Sequence, residues 1–289
     1  MITILLSGGL GNQMFQYAAA KALATRLNTS VVADLLYYSK KTVTTPRQFG
    51  LGIFMLDLDL KESLKDKLFI KSLSFFNKDC PFYKRLGFYS DLRAARYDFD
   101  FESLQDGTTL FGYFQNEKYF QSIESVIRTD FQFKNQLDNI NMEALKRITS
   151  VNSVAVHIRR GDYITDPAIT LALCGKEYYE KAIEYVSSKV ENPYFFVFSE
   201  DMEWVKDNLD FQDCPFEFID WNHGNDSYKD MQLMSSCKHN IIANSSFSWW
   251  GAWLNANQEK IVVAPKQWFR RDFDYKQFVG YVPEDWIKL

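Results

Sequence analysis

Several things are scarce in this chain, and each scarcity removes a class of function. The four cysteines, Cys80, Cys174, Cys214 and Cys237, lie far apart in 289 residues and form no C-x-x-C pair. That spacing argues against a zinc ribbon or a disulfide framework and reads as reduced, buried thiols. Positive charge is in deficit: a net charge of −4 excludes sequence-independent nucleic-acid binding, which needs a basic face. The three histidines, His157, His223 and His239, are dispersed without ligand spacing. No apolar run approaches the roughly 18 residues needed to span a bilayer. The opening MITILLSGG has no basic region, so it reads as a first β-strand rather than a signal peptide. Together these lacks predict a cytoplasmic protein, or one lying peripherally on the inner face of a membrane.

What remains is an ordinary globular composition, 46% hydrophobic and 24% charged, which excludes disorder. The length suits two domains of ~100–200 residues each. Ile2–Leu6 reads as a strand that breaks at Ser7-Gly8-Gly9. A helix follows from Asn12 to Leu27, then a short strand at 30–35. Strand, glycine loop, helix, strand is a βαβ unit and implies a parallel sheet. From Lys40 to Asp91 the periodicity blurs. Within it, 61–89 mixes aromatics with seven basic and three acidic residues, a local +4, and is expected to be a peripheral helical region. Helical runs follow at 123–133 and 141–148. A second alternating series begins near Val151. Its strand-like runs are 153–158, 194–198, 216–220, 240–243 and 261–264, with helical runs between them. The expected fold is α/β, two Rossmann-like domains facing across a cleft. The expected domains are 1–150 (N-terminal) and 151–289 (C-terminal, nucleotide-binding), with ligands beyond the carboxyl ends of the strands.

Three segments carry candidate chemistry. GGLGNQ, 8–13, sits between strand and helix, where Gly9 and Gly11 let backbone N–H groups approach an anion at a helix N-terminus. Asn12 and Gln13 add side chains that read a ligand by hydrogen bonds. A plain tight turn is the bland alternative. A dinucleotide fingerprint needs a third glycine where this chain has Met14, although Asp34 stands where a ribose-binding acid would. HIRRGDY, 157–163, brings charge to a strand end. Alternation sends one of Arg159 and Arg160 towards the cleft and leaves its neighbour to pair with a carboxylate such as Asp162. A guanidinium there binds pyrophosphate bidentately; a structural Arg–Asp pair is the equal rival. The block 230–255 starts a helix at Asp230, passes through a strand and opens another helix at Ser245-Ser246-Phe247, a further anion site. Trp249, Trp250 and Trp253 read as core. Ser199 and Asp201 in FSED end another strand at the same rim.

D-x-D pairs occur at Asp57/Asp59, Asp98/Asp100 and Asp272/Asp274, none at the end of a clear strand. Two arginines neutralise a pyrophosphate without a cation, so neither metal nor cofactor is expected.

GGLGNQMFQYA, VHIRRGDY and HNIIANSSFSWWGAWLN, in this order, resemble the bacterial α-1,2-fucosyltransferases of glycosyltransferase family 11. The resemblance runs from the first strand to about Trp268. It implies a two-domain GT-B-like fold with 1–150 on the acceptor side, a GDP-β-L-fucose donor, inversion at the anomeric carbon, no metal, and as acceptor a β-galactoside hydroxyl on an oligosaccharide or lipid-linked glycan of a capsule or O-antigen. By position it implies guanine contacts at His157 and Asp230 and a β-phosphate ligand at Arg159, with Arg160 and Asp162 bracing the loop. It further implies phosphate or ribose contacts at Ser245 and Ser246, and fucose near Asn12. Glu200 stands where the family often has Asp. Two other classes compete: an NAD-dependent oxidoreductase, resting on the first βαβ unit and Asp34, and a non-catalytic glycan- or membrane-binding protein, resting on the aromatics and the basic stretch.

Overall fold

The computed structural model describes residues 1–38, 47–61, 63–72, 81–91, 96–165, 172–270 and 280–289, apart from the side chains at 64, 65, 70, 81, 82, 162 and 165. The chain packs as two compact units, Met1–Asn135 with Lys276–Tyr281 and Gln136–Tyr275 with Val282–Leu289. The division precedes the helix Asn139–Ser150, whereas the alternating strand-and-helix series that begins near Val151 placed the expected boundary after it.

In the first unit Ile2–Leu5 (β1) is buried at every residue, as a central parallel strand covered on both faces must be. It pairs in parallel with Val31–Asp34 (β2) on one side and, on the other, with Thr109–Gly112 (β5). Asp59–Lys61 (β3) and Phe88–Asp91 (β4) complete the sheet in the order β3-β2-β1-β5-β4. The alanine-rich helix Leu10–Arg26 (α1) is buried along most of its length. The stretch 61–89, expected to be a peripheral helical region, holds the helices Leu64–Ser72 (α2) and Pro81–Arg85 (α3), but it starts at the end of β3 and ends in β4 and so belongs to the sheet. The reason lies in its aromatics. Phe69, Tyr83 and Phe88 pack on Leu5, with Phe69 and Phe88 stacked at 3.9 Å, and so tie the segment to the sheet. Lys67, Leu68 and Lys71 stay exposed on α2. The short helix Glu124–Asp130 (α4) follows β5.

The second unit begins with Asn139–Ser150 (α5), capped by Asp138, whose carboxylate accepts the Asn141 N–H. Its strands are Asn152–Ile158 (β6), Pro193–Ser199 (β7), Phe216–Ile219 (β8), His239–Ile241 (β9), Val262–Ala264 (β10) and Ile287–Lys288 (β11), all parallel in the order β11-β10-β9-β6-β7-β8. Helices Gly161–Thr165 (α6), Lys176–Ser187 (α7), Met202–Asn208 (α8), Tyr228–Ser236 (α9) and Ser246–Leu254 (α10) connect them. On α7 the buried residues Tyr179, Ala182, Ile183 and Val186 follow helical spacing and meet Val154, Val156 and Ile158 of β6. Trp249, Trp250 and Trp253 are buried, and Trp249 packs on Trp286. Buried asparagines complete the frame: Asn240 donates to the Met234 carbonyl and accepts from Asn255, while Asn244 donates to the Trp268 carbonyl.

Candidate functional site

In the second unit the chain leaves β6 for β7 on one side and β9 for β10 on the other. The strand order therefore reverses between β6 and β9, neighbours in register with Val156 opposite Ile241. In an open parallel sheet the crevice at such a switch point, beyond the carboxyl ends, is where ligands bind. Both charged and hydroxyl-rich motifs of the sequence arrive there, the first after β6 and the second after β9. Tyr163 joins the two loops by donating its hydroxyl to the Asn244 carbonyl at 2.9 Å.

His157 is the last-but-one residue of β6. Its neighbours Val156 and Ile158 point into the core, so its ring takes the other face, 5.9 Å from that of Phe247 at the start of α10. Burial, with the charge of Arg159, pushes its pKa down to about 3, so the imidazole is neutral at physiological pH. Its Nδ1 is buried and has no hydrogen-bond partner among the described residues. An unsatisfied polar atom inside a protein is costly.

The two arginines differ in their surroundings. Arg160 donates from Nε to Asp201 at 3.0 Å and lies 4.0 Å over the Trp204 ring, with 14% of its side chain exposed. Arg159 is more exposed, at 26%; its Nη1 lies 3.5 Å from Glu200, and its guanidinium sits 5.6 Å from the Tyr163 ring centre. The expected carboxylate partner was Asp162, whose side chain lies outside the described residues. The partner found for Arg160 is Asp201, because parallel pairing of β6 and β7, with Ile158 opposite Ser199, brings FSED beside the arginines. Asp201 also caps α8 by accepting the Trp204 N–H, and the Ser199 hydroxyl accepts the Asp201 N–H. Ser199 and Asp201 thus build the loop that anchors Arg160.

Beyond β9, Ser245 is the N-cap of α10, its hydroxyl accepting the Phe247 N–H at 3.3 Å, and Ser246 opens the helix. The first-turn N–H groups and the positive end of the helix dipole therefore lie just after β9, the strand that pairs with β6. Asp230 lies in the first turn of α9, where burial raises its pKa to about 7 against the pull of a hydrogen bond from Asn222 at 2.8 Å. Asn222 in turn exchanges hydrogen bonds with the buried Asn141, which also accepts from the Trp221 indole. Asn141, Asn222 and Trp204 escaped the sequence reading, since nothing in their local pattern distinguishes them from ordinary loop and helix residues; Tyr163 lay within HIRRGDY but had no role assigned to it.

The first unit carries its own switch point, between β1 and β5, and the glycine loop lies at the end of β1. Gly8 has φ +76°, and a Cβ there would meet the Asn12 amide at 2.6 Å. A Cβ on Gly9, the N-cap of α1, would meet nothing within 4 Å, so the start of that helix is open; Gly11 is buried. Asn12 accepts from Gln115 at 2.7 Å. Gln13 is committed to backbone: it donates to the Gly8 and Gln48 carbonyls and accepts from the Gly50 N–H. Gln16 likewise ties Ser7 to Gly112. Asp34, the supposed ribose ligand, is 1% exposed and accepts from the N–H groups of Leu36 and Ser63. Burial and neighbouring Asp66 raise its pKa. A carboxylate so enclosed reaches no ribose, and Met14 fills the core at the third-glycine position.

No group of three or more His, Cys, Asp or Glu suited to a metal occurs among the described residues. Of the D-x-D pairs, Asp98 accepts from Tyr89 and caps a turn, Asp100 pairs with Lys84, and Asp57 and Asp59 border a small polar cavity with Lys21 and Thr25. Asp272 and Asp274 lie outside the described residues, as does Cys80. Cys174, Cys214 and Cys237 are free thiols, and burial raises the pKa of Cys174 to about 11. No described helix is long and apolar enough to cross a membrane.

The family model for glycosyl transferase family 11 matches residues 1–289. The chain is 36% identical to an alpha-1,2-colitosyltransferase of Escherichia coli over 98% of its own length and 97% of that protein. It is 35% identical to the O-antigen biosynthesis glycosyltransferase WbnK of Escherichia coli, over 98% and 99%. It is 27% identical to galactoside alpha-(1,2)-fucosyltransferase 1 of Leontocebus fuscicollis, over 59% of this chain and 49% of that one. Among solved structures, NodZ alpha-1,6-fucosyltransferase soaked with GDP-fucose matches with a TM-score of 0.50 at 13% identity, covering 88% of this chain and 92% of the other. That likeness shows the fold, two parallel-sheet α/β domains of the GT-B-like kind.

Proposed function

The chain belongs to glycosyl transferase family 11, and on that premise we propose that it moves L-fucose from GDP-β-L-fucose to the 2-hydroxyl of a terminal β-galactoside, with inversion. The observation that carries this reading is the set of groups at the switch point of the second unit. The Arg159 guanidinium follows β6, the N-terminus of α10 follows β9 after Ser245, and His157, neutral and with Nδ1 lacking a partner among the described residues, lies near the end of β6 with its ring 5.9 Å from that of Phe247. A nucleoside diphosphate meets those three demands at once: anionic oxygens for the first two, an N–H of a base for the third.

In the proposed reaction the acceptor oxygen attacks the anomeric carbon while the bond from that carbon to the β-phosphate oxygen breaks. The electron pair leaves with GDP, and the acceptor proton passes to a base or to water. Charge grows on the departing diphosphate as the bond lengthens. Arg159 and the α10 amides are therefore worth more in the transition state than before it. Asp230, held by Asn222, supplies a second polar contact to the base, and Arg160 keeps the loop in place. The contact of Arg159 with Glu200, at 3.5 Å, is longer than that of Arg160 with Asp201, at 3.0 Å.

A second donor has specific support, since one relative matched along almost its whole length is named for colitose transfer. Colitose lacks the 3-hydroxyl of fucose, so the two readings differ by one polar group. A site that hydrogen-bonds that hydroxyl rejects the deoxy sugar by roughly 10⁴-fold or more. By the name of another relative, the acceptor is proposed to be an O-antigen glycan, lipid-linked and met at the inner membrane face.

The decisive measurement is GDP release and product mass from the purified protein given GDP-fucose or GDP-colitose with a panel of β-galactosides. Transfer of fucose to O2 of galactose is expected. Transfer of colitose alone replaces the donor assignment, and release of GDP from neither donor with any acceptor rejects the proposal.

A further inference from the structure

Glu200 was singled out in the sequence without a role, and the structure places it at the centre of the arginine loop. Its Oε1 accepts the Arg160 N–H at 2.8 Å, and the same oxygen lies 3.5 Å from Nη1 of Arg159. A Cβ on Gly161 would approach that oxygen to 2.9 Å and the Glu200 Cγ to 3.2 Å, so glycine at the start of α6 makes room for the carboxylate. The strand register explains the meeting: Ile158 and Ser199, the last residues of β6 and β7, are opposite each other, and Arg159 and Glu200 follow them directly.

The two acids of FSED thus sort the two arginines. Asp201 holds Arg160 by a 3.0 Å charge-assisted bond, reinforced by stacking on Trp204. Glu200 makes its short bond to the backbone and leaves Arg159 at ion-pair distance, longer than an N–H···O hydrogen bond. A carboxylate oxygen has lone pairs for both partners, and the longer contact is the cheaper to give up.

We propose that Glu200 is a positioning residue with two separable actions: it fixes the backbone of the arginine loop, and it serves as the resident counter-ion that Arg159 exchanges for the diphosphate of the donor. The inference rests on the reading of Arg159 as a diphosphate ligand. It follows that the charge and the hydrogen-bonding capacity of Glu200 act on donor binding in opposite directions. The charge competes with the incoming anion, whereas the acceptor oxygen keeps the loop ready for it.

Calorimetric titration of the full chain with GDP at low salt separates these actions. Glu200→Gln keeps an oxygen for the Arg160 N–H and removes the charge. It is expected to bind GDP roughly two- to fivefold tighter, the size of a half-exposed ion pair. Glu200→Ala removes both and is expected to bind roughly fivefold weaker, since the Arg160 N–H loses its partner. A Gln variant that binds GDP no better than the parent overturns the counter-ion role, and this holds even if the Ala variant fails to fold. An Ala variant that folds and binds as tightly as the Gln variant overturns the loop-fixing role. Arg159→Ala, titrated alongside, tests the underlying reading separately. Unchanged GDP binding there rejects the diphosphate assignment itself, whereas loss of binding there with no gain in Glu200→Gln rejects this inference alone.

Discussion

Arg159 and Arg160 share a charge and a peptide bond, yet their side chains meet different neighbours. Arg160 is packed on an indole and bonded to Asp201; Arg159 is more exposed and lies 3.5 Å from Glu200. Replacing Arg159 by alanine is therefore expected to lower kcat by ~10²-fold, the usual consequence of losing one donor to a developing anion, with the melting temperature little changed. Turnover within a few-fold of the parent would rule Arg159 out as a leaving-group ligand. Asp230 makes a second residue-level prediction. Its pKa is about 7 in the folded chain against 3.8 for the ordinary side chain, so the folded state binds the extra proton between those values. Stability from this group is fully present below about pH 4 and is lost as pH rises through 7. Asp230→Asn keeps an oxygen for the Asn222 amide and has nothing to titrate. Thermal melts from pH 5 to 8 are expected to show a flatter profile than the parent, and parallel profiles would count against the buried carboxyl.

At the scale of elements, the glycines at strand ends differ in what they do. Gly112 ends β5 with φ +139°, and a Cβ there would lie 2.6 Å from the Asp91 carbonyl oxygen and 2.9 Å from the Asp91 N, both backbone atoms that cannot swing away. Its own carbonyl accepts from Gln16, so the strand end is also tied to α1. Gly112→Ala is expected to cost roughly 2 kcal/mol or more, read as a lower midpoint in urea, from a strained backbone and a forced shift of β4. A midpoint equal to the parent's would show that β4 and β5 tolerate separation. Gly161 is different in kind, since its near neighbour is the flexible end of Glu200 rather than backbone. Helix starts also divide. Asp138, Asp201 and Ser245 each cap a helix with a side chain, while Gly9 leaves the first turn of α1 without one. An uncapped start with open space above it is where a ligand can supply the missing acceptors.

At the scale of the whole molecule, each unit is a parallel sheet with its order reversing beside its first strand, β1 in one and β6 in the other. In both, the chain runs from that strand into a loop of unusual composition, GGLGNQ or IRRGDY, because the switch point leaves a crevice there. The alternating series after Val151 made the second unit readable almost strand by strand. The missing strand was β11, two residues long and too short for any periodicity. The first unit was readable in β1, α1 and β2 and in the helical run 123–133 that holds α4. Its other three strands have three or four residues each, β3 being half-exposed or exposed throughout and β4 and β5 mixing apolar with polar, so no alternation rises above the surrounding sequence.

Local order along the chain determined a good deal by itself. The βαβ start, the charge at the end of a strand, the failed third glycine and the three motifs in order are features of neighbours within a few residues, and they sufficed for the fold class and the family. What remained was decided by residues far apart in sequence. Only the pairing of β6 with β7 brings Glu200 and Asp201, some forty positions on, beside the two arginines and assigns one acid to each. Only burial makes His157 neutral with an unsatisfied nitrogen, lifts Asp230 towards neutrality and encloses Asp34 between two backbone amides. The physical reason is the same in each case. Periodicity is written by contacts within one turn or one pleat, whereas the protonation and partnering of a charge depend on the dielectric and the neighbours that folding gathers from elsewhere in the chain.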